Sequence, residues 1–297
     1  MMTTALREQV THDAPLSTWF GIGGRADAFA KPQDANELLA LIDEFEGDVR
    51  VLGDGANLLV CDDGVDGLVV SLERFNRVET TPHGEIAHVQ VGAGANLPRL
   101  IIDMVRDGWA GLEGLGGIPA SVGGAVRMNA GGAFGEIADV ITSVSGVTRT
   151  GESFTLQRDA IPFGYRHSGL EGRMITEVEL TLHRDDPGVL RDRLKEVMAY
   201  KKKSQPMAEK SAGCVFRNPT VGDERVSAGK LIDECGCKGM RIGGAEVSQV
   251  HGNFLVTKSN ATTRDVIQLI DRVRERVESD RGVRLETELV IWRRRNA

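Results

Sequence analysis

From Gly111 to Gly132 the chain reads Gly-Leu-Glu-Gly-Leu-Gly-Gly-Ile-Pro-Ala-Ser-Val-Gly-Gly-Ala-Val-Arg-Met-Asn-Ala-Gly-Gly, and eight of these residues are glycine. Ordering a stretch so poor in side chains costs much backbone entropy, so it is kept where a backbone must lie against a large flat ligand. The competing reading is a flexible linker. Ile118-Pro119, Val122, Arg127 and Asn129 count against that, because linkers carry no such apolar anchors. Across the chain, 36 glycines in 297 residues exceed the usual share of about 7%. They fall in short runs with no collagen-like period, as in loops that a ligand approaches.

A second glycine cluster follows an apolar run: Val51-Leu52-Gly53-Asp54-Gly55-Ala56-Asn57-Leu58-Leu59-Val60. Small residues directly after a strand let backbone N–H groups converge on a phosphate. The dinucleotide fingerprint GxGxxG is not matched and no Walker lysine is present, so a plain tight turn is an equal reading of these residues alone.

The elements around these loops are mixed. Asp34 and Glu37 form a capping-box pattern for a helix to Phe45, with Leu38, Leu41, Ile42 and Phe45 on one face. Val49 to Leu52 and Leu68 to Leu72 read as strands in a β-α-β-like opening. Val89 to Gly92 is a further strand, followed by a helix with Pro98 in its first turn and Gly108 beyond its end. Val140 to Val147 and Met174 to Leu182 are β-rich. Beyond Pro187, Leu190, Leu194, Val197 and Met198 mark one helix. Thr262 and Asp265 cap another with a stripe of Val266, Leu269, Ile270, Val273 and Val277. Asn253 to Thr257 and Arg284 to Trp292 read as strands. The change of texture places a domain boundary near residue 186.

The formal charge of -7 gives no footprint for nucleic acid, and the runs Lys201-Lys202-Lys203 and Arg293-Arg294-Arg295 read as solvated faces. No apolar stretch approaches the roughly 18 residues of a membrane span, and Met1 to Val10 is too polar for a secretory signal, so a cytoplasmic protein without membrane insertion is expected. Cys61, Cys214, Cys235 and Cys237 are too scattered for a disulfide framework. Cys235 and Cys237 flank one residue, which is neither a redox CxxC nor a zinc half-site, so no metal is expected.

The two glycine clusters stand in order with four other segments: Thr18-Trp19-Phe20-Gly21-Ile22-Gly23-Gly24, Tyr165-Arg166-His167-Ser168, Ser211-Ala212-Gly213-Cys214-Val215-Phe216-Arg217-Asn218-Pro219 and Ser227-Ala228-Gly229-Lys230-Leu231-Ile232-Asp233. Together they resemble the UDP-N-acetylenolpyruvoylglucosamine reductase family, from about residue 15 to Trp292. The chain is similar to the shorter subclass, since no room exists between Arg166 and Cys214 for an extended tyrosine-bearing loop.

That resemblance implies an α+β fold: a vanillyl-alcohol-oxidase (PCMH)-type FAD-binding domain over 14–185, in two α/β lobes, followed by a smaller α+β substrate-binding domain over 186–297. The last strand, about 284–292, is open to returning toward the FAD lobe. The implied activity is FAD-dependent reduction of UDP-N-acetylglucosamine enolpyruvate to UDP-N-acetylmuramate with NADPH, in peptidoglycan precursor synthesis. Gly53, Asp54, Gly55 and Asn57 are implied to cradle the pyrophosphate of non-covalent FAD. Ile118, Pro119, Ser121, Val122, Gly123, Gly124 and Asn129 are implied to line the flavin.

Arg166, Cys214 and Glu288 are the implied catalytic residues, and Tyr165, Arg217, Asn218 and Lys230 the implied substrate contacts. A guanidinium suits a substrate carboxylate and the charge that builds there as hydride adds, although an Arg after Tyr is by itself more often a surface ion-pair residue. Alternation along 284–292 puts Glu286 and Glu288 on one face and does not choose between them; the family pattern selects Glu288. Cys214 departs from the serine proton donor of most members, and a thiol is the stronger acid of the two. The alternatives are another flavin oxidoreductase of the same fold, which would pass electrons to oxygen, and a non-catalytic nucleotide-binding protein.

Overall fold

Asp34 opens the first long helix as its sequence predicts. Its carboxylate accepts from the N–H groups of Asn36 and Glu37 at 2.9 and 3.0 Å, satisfying donors that the first helical turn cannot pair internally. Glu37 reaches back one residue further than a capping box requires, accepting from the Gln33 N–H at 2.8 Å. The helix runs Ala35–Glu44 with Leu38 and Leu41 buried. It appears in a computed structural model that describes residues 4–45 and 47–295.

The chain divides into two compact units. The first holds the residues up to His12, Ala28–Asp54 and Gly67–Tyr200; the second holds Asp13–Asp27, Gly55–Asp66 and Lys201 onward. The break therefore falls at 200 and not near 186. The Pro187–Ser204 helix forms with Leu190 and Val197 buried but with Met198 exposed, and Leu190 is buried in the first unit's core with Leu194 packed against it. An apolar stripe announces a helix without naming the core it faces.

In the first unit, Val49–Leu52 pairs parallel with Val65–Ser71 in a sheet that also holds Arg25–Ala30; the Ala35–Glu44 helix joins Arg25–Ala30 to Val49–Leu52, not the two paired strands. A larger antiparallel sheet has the order Ser153–Gln157, Ile141–Thr148, Arg173–Arg184, Ile86–Gly92, Val78–His83, with Trp109–Ala110 also on Arg173–Arg184. Val178, Leu180 and Leu182 alternate into the core, as one buried sheet face demands. Against it lies the Leu97–Arg106 helix, capped by the Asn96 side chain on the Arg99 N–H and ended before Gly108, at φ 79°. It buries Leu97, Leu100, Ile101, Met104 and Val105.

The second unit has its own core of Phe20, Leu59, Val215, Phe216, Ile232, Val247, Leu255, Leu285, Leu289 and the stripe Val266, Leu269, Ile270, Val273 and Val277. That stripe lies on the Thr263–Arg281 helix, whose predicted capping box is complete: Thr262 accepts from the Asp265 N–H and Asp265 from the Thr262 N–H. Strands Arg241–Ile242, Ala245–Val247 and Leu255–Thr257 form an antiparallel sheet. Of the strand expected over 284–292, only Val290–Trp292 is regular, and it pairs parallel with Leu58–Val60. Both of these strands belong to the second unit, so the terminal strand completes that unit.

Candidate active site

The Gly53-Asp54-Gly55 cluster is divided between the units, ending one segment of the first at Asp54 and opening one of the second at Gly55. In the first unit Gly53 is exposed, and a Cβ on it would lie 2.8 Å from the Ser121 hydroxyl oxygen. Gly124 would approach the same oxygen at 3.2 Å. The two glycine-rich passages thus meet at Ser121 and present bare backbone there, the surface a phosphate or flat ring can approach. Asp54 follows Gly53 in the chain; it is exposed, and partial desolvation by its neighbours raises its carboxyl above the ordinary value.

Ser121 does more than mark this meeting. Its hydroxyl caps a short helix, Val122–Arg127, by accepting from the Gly124 N–H at 3.3 Å. The sequence reads as loop here because Gly-Gly is a poor helix former. The Val122 and Gly123 N–H groups donate to Ala95 and Ala93 carbonyls at 2.9 and 2.8 Å. Gly123 is tied to close packing, since a Cβ there would meet Ala93 at 2.8 Å. Ile118 and Pro119 are half-buried beside these residues.

Asn129 follows the helix at φ 42° and is only 1% exposed. Its amide is committed to backbone, accepting from the Ala138 N–H at 3.3 Å and donating to the Gly164 carbonyl at 3.0 Å. Gly164 and His167 exchange hydrogen bonds of 2.9 and 3.1 Å, so Tyr165 and Arg166 form the tip of a tight turn. Arg166 takes φ 54°, donates from Nη1 to the Gly131 carbonyl at 2.9 Å and lies 5.5 Å from the Tyr165 ring centre.

In the second unit Gly55 is buried at φ 67° with a Cβ position 2.7 Å from the Ser17 carbonyl oxygen, and its own carbonyl accepts from the Trp19 N–H at 3.1 Å. Asn57 donates to the Glu288 carbonyl at 3.2 Å. The Glu288 N–H donates to the Val215 carbonyl at 2.8 Å, which brings the backbone of Glu288 to the residue that follows Cys214. Glu288 is half-buried and Glu286 exposed, so the structure separates the two glutamates that alternation left equivalent. Cys214 is half-buried, and its backbone forms an isolated antiparallel bridge with that of Phe254, as the Phe216 backbone does with Thr287.

Arg217 carries a buried Nε with no hydrogen-bond partner among the described residues. The Asn218 side-chain oxygen accepts from the Ala228 N–H at 2.9 Å, at the start of the Ala228–Glu234 helix. Lys230, on that helix, is largely exposed and sits 3.8 Å from Glu234.

Asn253 escaped the sequence reading, since an uncharged amide in an apolar run gives no chemical signal. It is 3% exposed, accepts from the Phe216 N–H and donates to the Phe216 carbonyl, both at 2.8 Å. His251 supports it by accepting the Asn253 N–H on Nδ1 at 3.1 Å. Among the described residues no cluster of three or more His, Cys, Asp or Glu could hold a metal, and no helix is long and apolar enough to cross a membrane.

These features define a flavoprotein fold: residues 26–157 match the FAD binding domain family, the PCMH-type domain expected from the sequence. Residues 205–292 match the C-terminal domain of UDP-N-acetylenolpyruvoylglucosamine reductase. Proteins of that name from Desulfosudis oleivorans and Moorella thermoacetica are each 39% identical to the chain, covering 98% of it and 96% of their own length. A crystal structure of the Thermus caldophilus reductase superposes with a TM-score of 0.81 at 40% identity, covering 93% of this chain and 96% of that one. The chain belongs to the UDP-N-acetylenolpyruvoylglucosamine reductase family.

Proposed function

We propose that the chain reduces the enolpyruvyl ether of UDP-N-acetylglucosamine to UDP-N-acetylmuramate, with NADPH as reductant, in peptidoglycan precursor synthesis. The observation that carries this reading is the bond from the Glu288 N–H to the Val215 carbonyl. It ties an acid and a thiol, far apart in sequence, to one short stretch of the second unit. The bare backbone at Gly53 and Gly124 fits FAD, whose pyrophosphate Gly53, Asp54, Gly55 and Asn57 would hold and whose ring Ile118, Pro119 and the Ser121 to Gly124 turn would line.

When bound, FAD would supply the hydride that adds to the methylene carbon of the enolpyruvyl group. Arg166 would take the substrate carboxylate with its planar fork and stabilise the negative charge that develops there. Glu288 would orient the enol-like group, and Cys214 would deliver the proton to the carbon beside the carboxylate. Arg217 and Asn218 would face the UDP portion. The buried Arg217 Nε is suited to that, because a donor left without an acceptor carries an energetic cost that a ligand oxygen relieves.

The test is an anaerobic visible spectrum of the purified protein. NADPH should bleach the flavin bands and UDP-N-acetylglucosamine enolpyruvate should restore them. Rapid restoration by air, with no response to the UDP sugar, would favour an oxidase of the same fold. Absence of NADPH turnover would favour a non-catalytic nucleotide-binding protein.

A further inference from the structure

We propose that Asn129 is a positioning residue for Arg166, setting the turn that carries the guanidinium rather than contacting the flavin through its side chain. The inference rests on the reading of Arg166 given above. Beside the Gly164–His167 pair that closes the Tyr165-Arg166 turn, three bonds tie it to residues 127 to 131. Asn129 Nδ2 donates to the Gly164 carbonyl at 3.0 Å, Arg166 Nη1 to the Gly131 carbonyl at 2.9 Å, and the Ser168 hydroxyl to the Arg127 carbonyl at 2.8 Å. Ser168 is fully buried and Asn129 nearly so, so the side chains of these two ties are shielded from water.

Asn129 sits in a left-handed conformation that glycine would adopt with less strain. Ending the preceding helix asks only for a residue that tolerates this conformation, which glycine or asparagine does. The amide is what distinguishes Asn129, and both its polar atoms are used on backbone remote in sequence: Nδ2 on Gly164, 35 residues away, and Oδ1 on Ala138, 9 residues away. Arg166 itself adopts φ 54°, a backbone state that persists only when its surroundings enforce it. The segment that follows the flavin-domain helix Val122–Arg127 therefore dictates where the guanidinium points. A misplacement of about 1 Å at a reacting group can cost on the order of 100-fold in rate.

The experiment compares holoenzyme variants in stopped flow. Asn129→Gly keeps the backbone conformation and deletes both amide bonds. Asn129→Asp keeps an acceptor for Ala138 and loses the donor to Gly164. Ser168→Ala removes an independent tie to the same turn and covers the case in which an Asn129 variant fails to fold. Expected are parent FAD content and parent bleaching by NADPH, with reoxidation by UDP-N-acetylglucosamine enolpyruvate slowed about 10- to 100-fold for both Asn129 variants. Affinity for UDP-N-acetylmuramate, read by calorimetry on the oxidised protein, should fall about tenfold by the same loss of alignment. In the Arg166→Ala background, Asn129→Gly should add no further loss, as coupled residues do not act additively. Loss of FAD with normal reoxidation of the loaded fraction, or parent behaviour in all variants beside a crippled Arg166→Ala, would overturn the inference alone. If Arg166→Ala reoxidised at the parent rate, the assignment of Arg166 would fall first and the inference with it.

Discussion

Asn253 grips Phe216 at both ends of one residue, its amide oxygen taking the Phe216 N–H and its amide nitrogen giving to the Phe216 carbonyl, each at 2.8 Å. The Val215 N–H also donates to the Asn253 carbonyl at 2.9 Å. A strand fragment with so few ladder bonds of its own is thereby fixed two residues from Cys214.

Asn253→Ala is expected to destabilise the protein, since it leaves two buried backbone groups of Phe216 unpaired at about 1–3 kcal/mol each. Asn253→Asp keeps an acceptor for the Phe216 N–H but loses the donor to its carbonyl. It should still be destabilised, because a carboxylate then faces a carbonyl oxygen. Urea unfolding of both variants measures this. Equal midpoints for parent and Asn253→Ala would show that the grip contributes nothing.

His251 makes this support sensitive to acid. Burial, followed by the nearby Lys238 charge, holds its imidazole below the ordinary value of 6.5. A folded pKa below the unfolded one means the unfolded chain binds the proton more readily. The stability from neutral His251 is complete above the ordinary imidazole range and is lost as pH falls through that range toward the folded value. Protonation of Nδ1 would also end its acceptance of the Asn253 N–H. His251→Asn offers a side-chain oxygen for the same i+2 N–H in an Asx turn without titrating. Its unfolding free energy should vary less with pH than the parent's across the imidazole range, and an identical pH slope would refute the assignment.

Cys214→Ala is expected to be bleached by NADPH at the parent rate yet reoxidised by the enolpyruvyl substrate more slowly, by about 10² to 10⁴-fold as for loss of a general acid. Cys214→Ser should retain substantial activity. Rapid-mixing traces in which Cys214→Ala reoxidises like the parent would require another proton source.

Gly53 and Gly55 should respond differently to alanine. Gly55→Ala forces a side chain into φ 67° and within 2.7 Å of the Ser17 carbonyl oxygen, so it should cost at least about 1–2 kcal/mol from backbone strain alone. A Cβ on Gly53 meets only the Ser121 hydroxyl, so Gly53→Ala should fold and lose FAD. Thermal unfolding of the apoproteins together with flavin content after gel filtration separates the two effects. Full FAD retention in Gly53→Ala would remove Gly53 from the phosphate cradle.

What the sequence disclosed follows from how locally each feature is encoded. The Thr262-Asp265 capping box and its apolar stripe lie within one helix, and the structure reproduces them. The Val122–Arg127 helix escaped because Gly123-Gly124 opposes helix on propensity; its cap at Ser121 and the carbonyls of Ala93 and Ala95 supply what propensity lacks. Glu286 and Glu288 were equivalent by alternation; packing against the rest of the unit, which no local pattern encodes, leaves Glu288 half-buried and Glu286 exposed. The segments around Arg166 and Cys214 could be picked out by residue type and family order. Asn253 and the anchoring role of Asn129 could not, because their function lies in which backbone groups they reach.

The second unit is assembled from Asp13–Asp27, Gly55–Asp66 and everything from Lys201 onward, and Asn57 binds the Glu288 carbonyl across 231 residues. During synthesis the Leu58–Val60 strand leaves the ribosome long before Val290–Trp292, its parallel partner, exists. A nascent chain must carry fully buried Leu59 and Val60 as an unsatisfied edge until the last few dozen residues emerge, a period in which such edges invite association with other chains. Premature termination anywhere before Val290 would therefore do more than remove a tail: it would leave the early-made strand permanently without its mate, making the truncated product a substrate for chaperones and proteases.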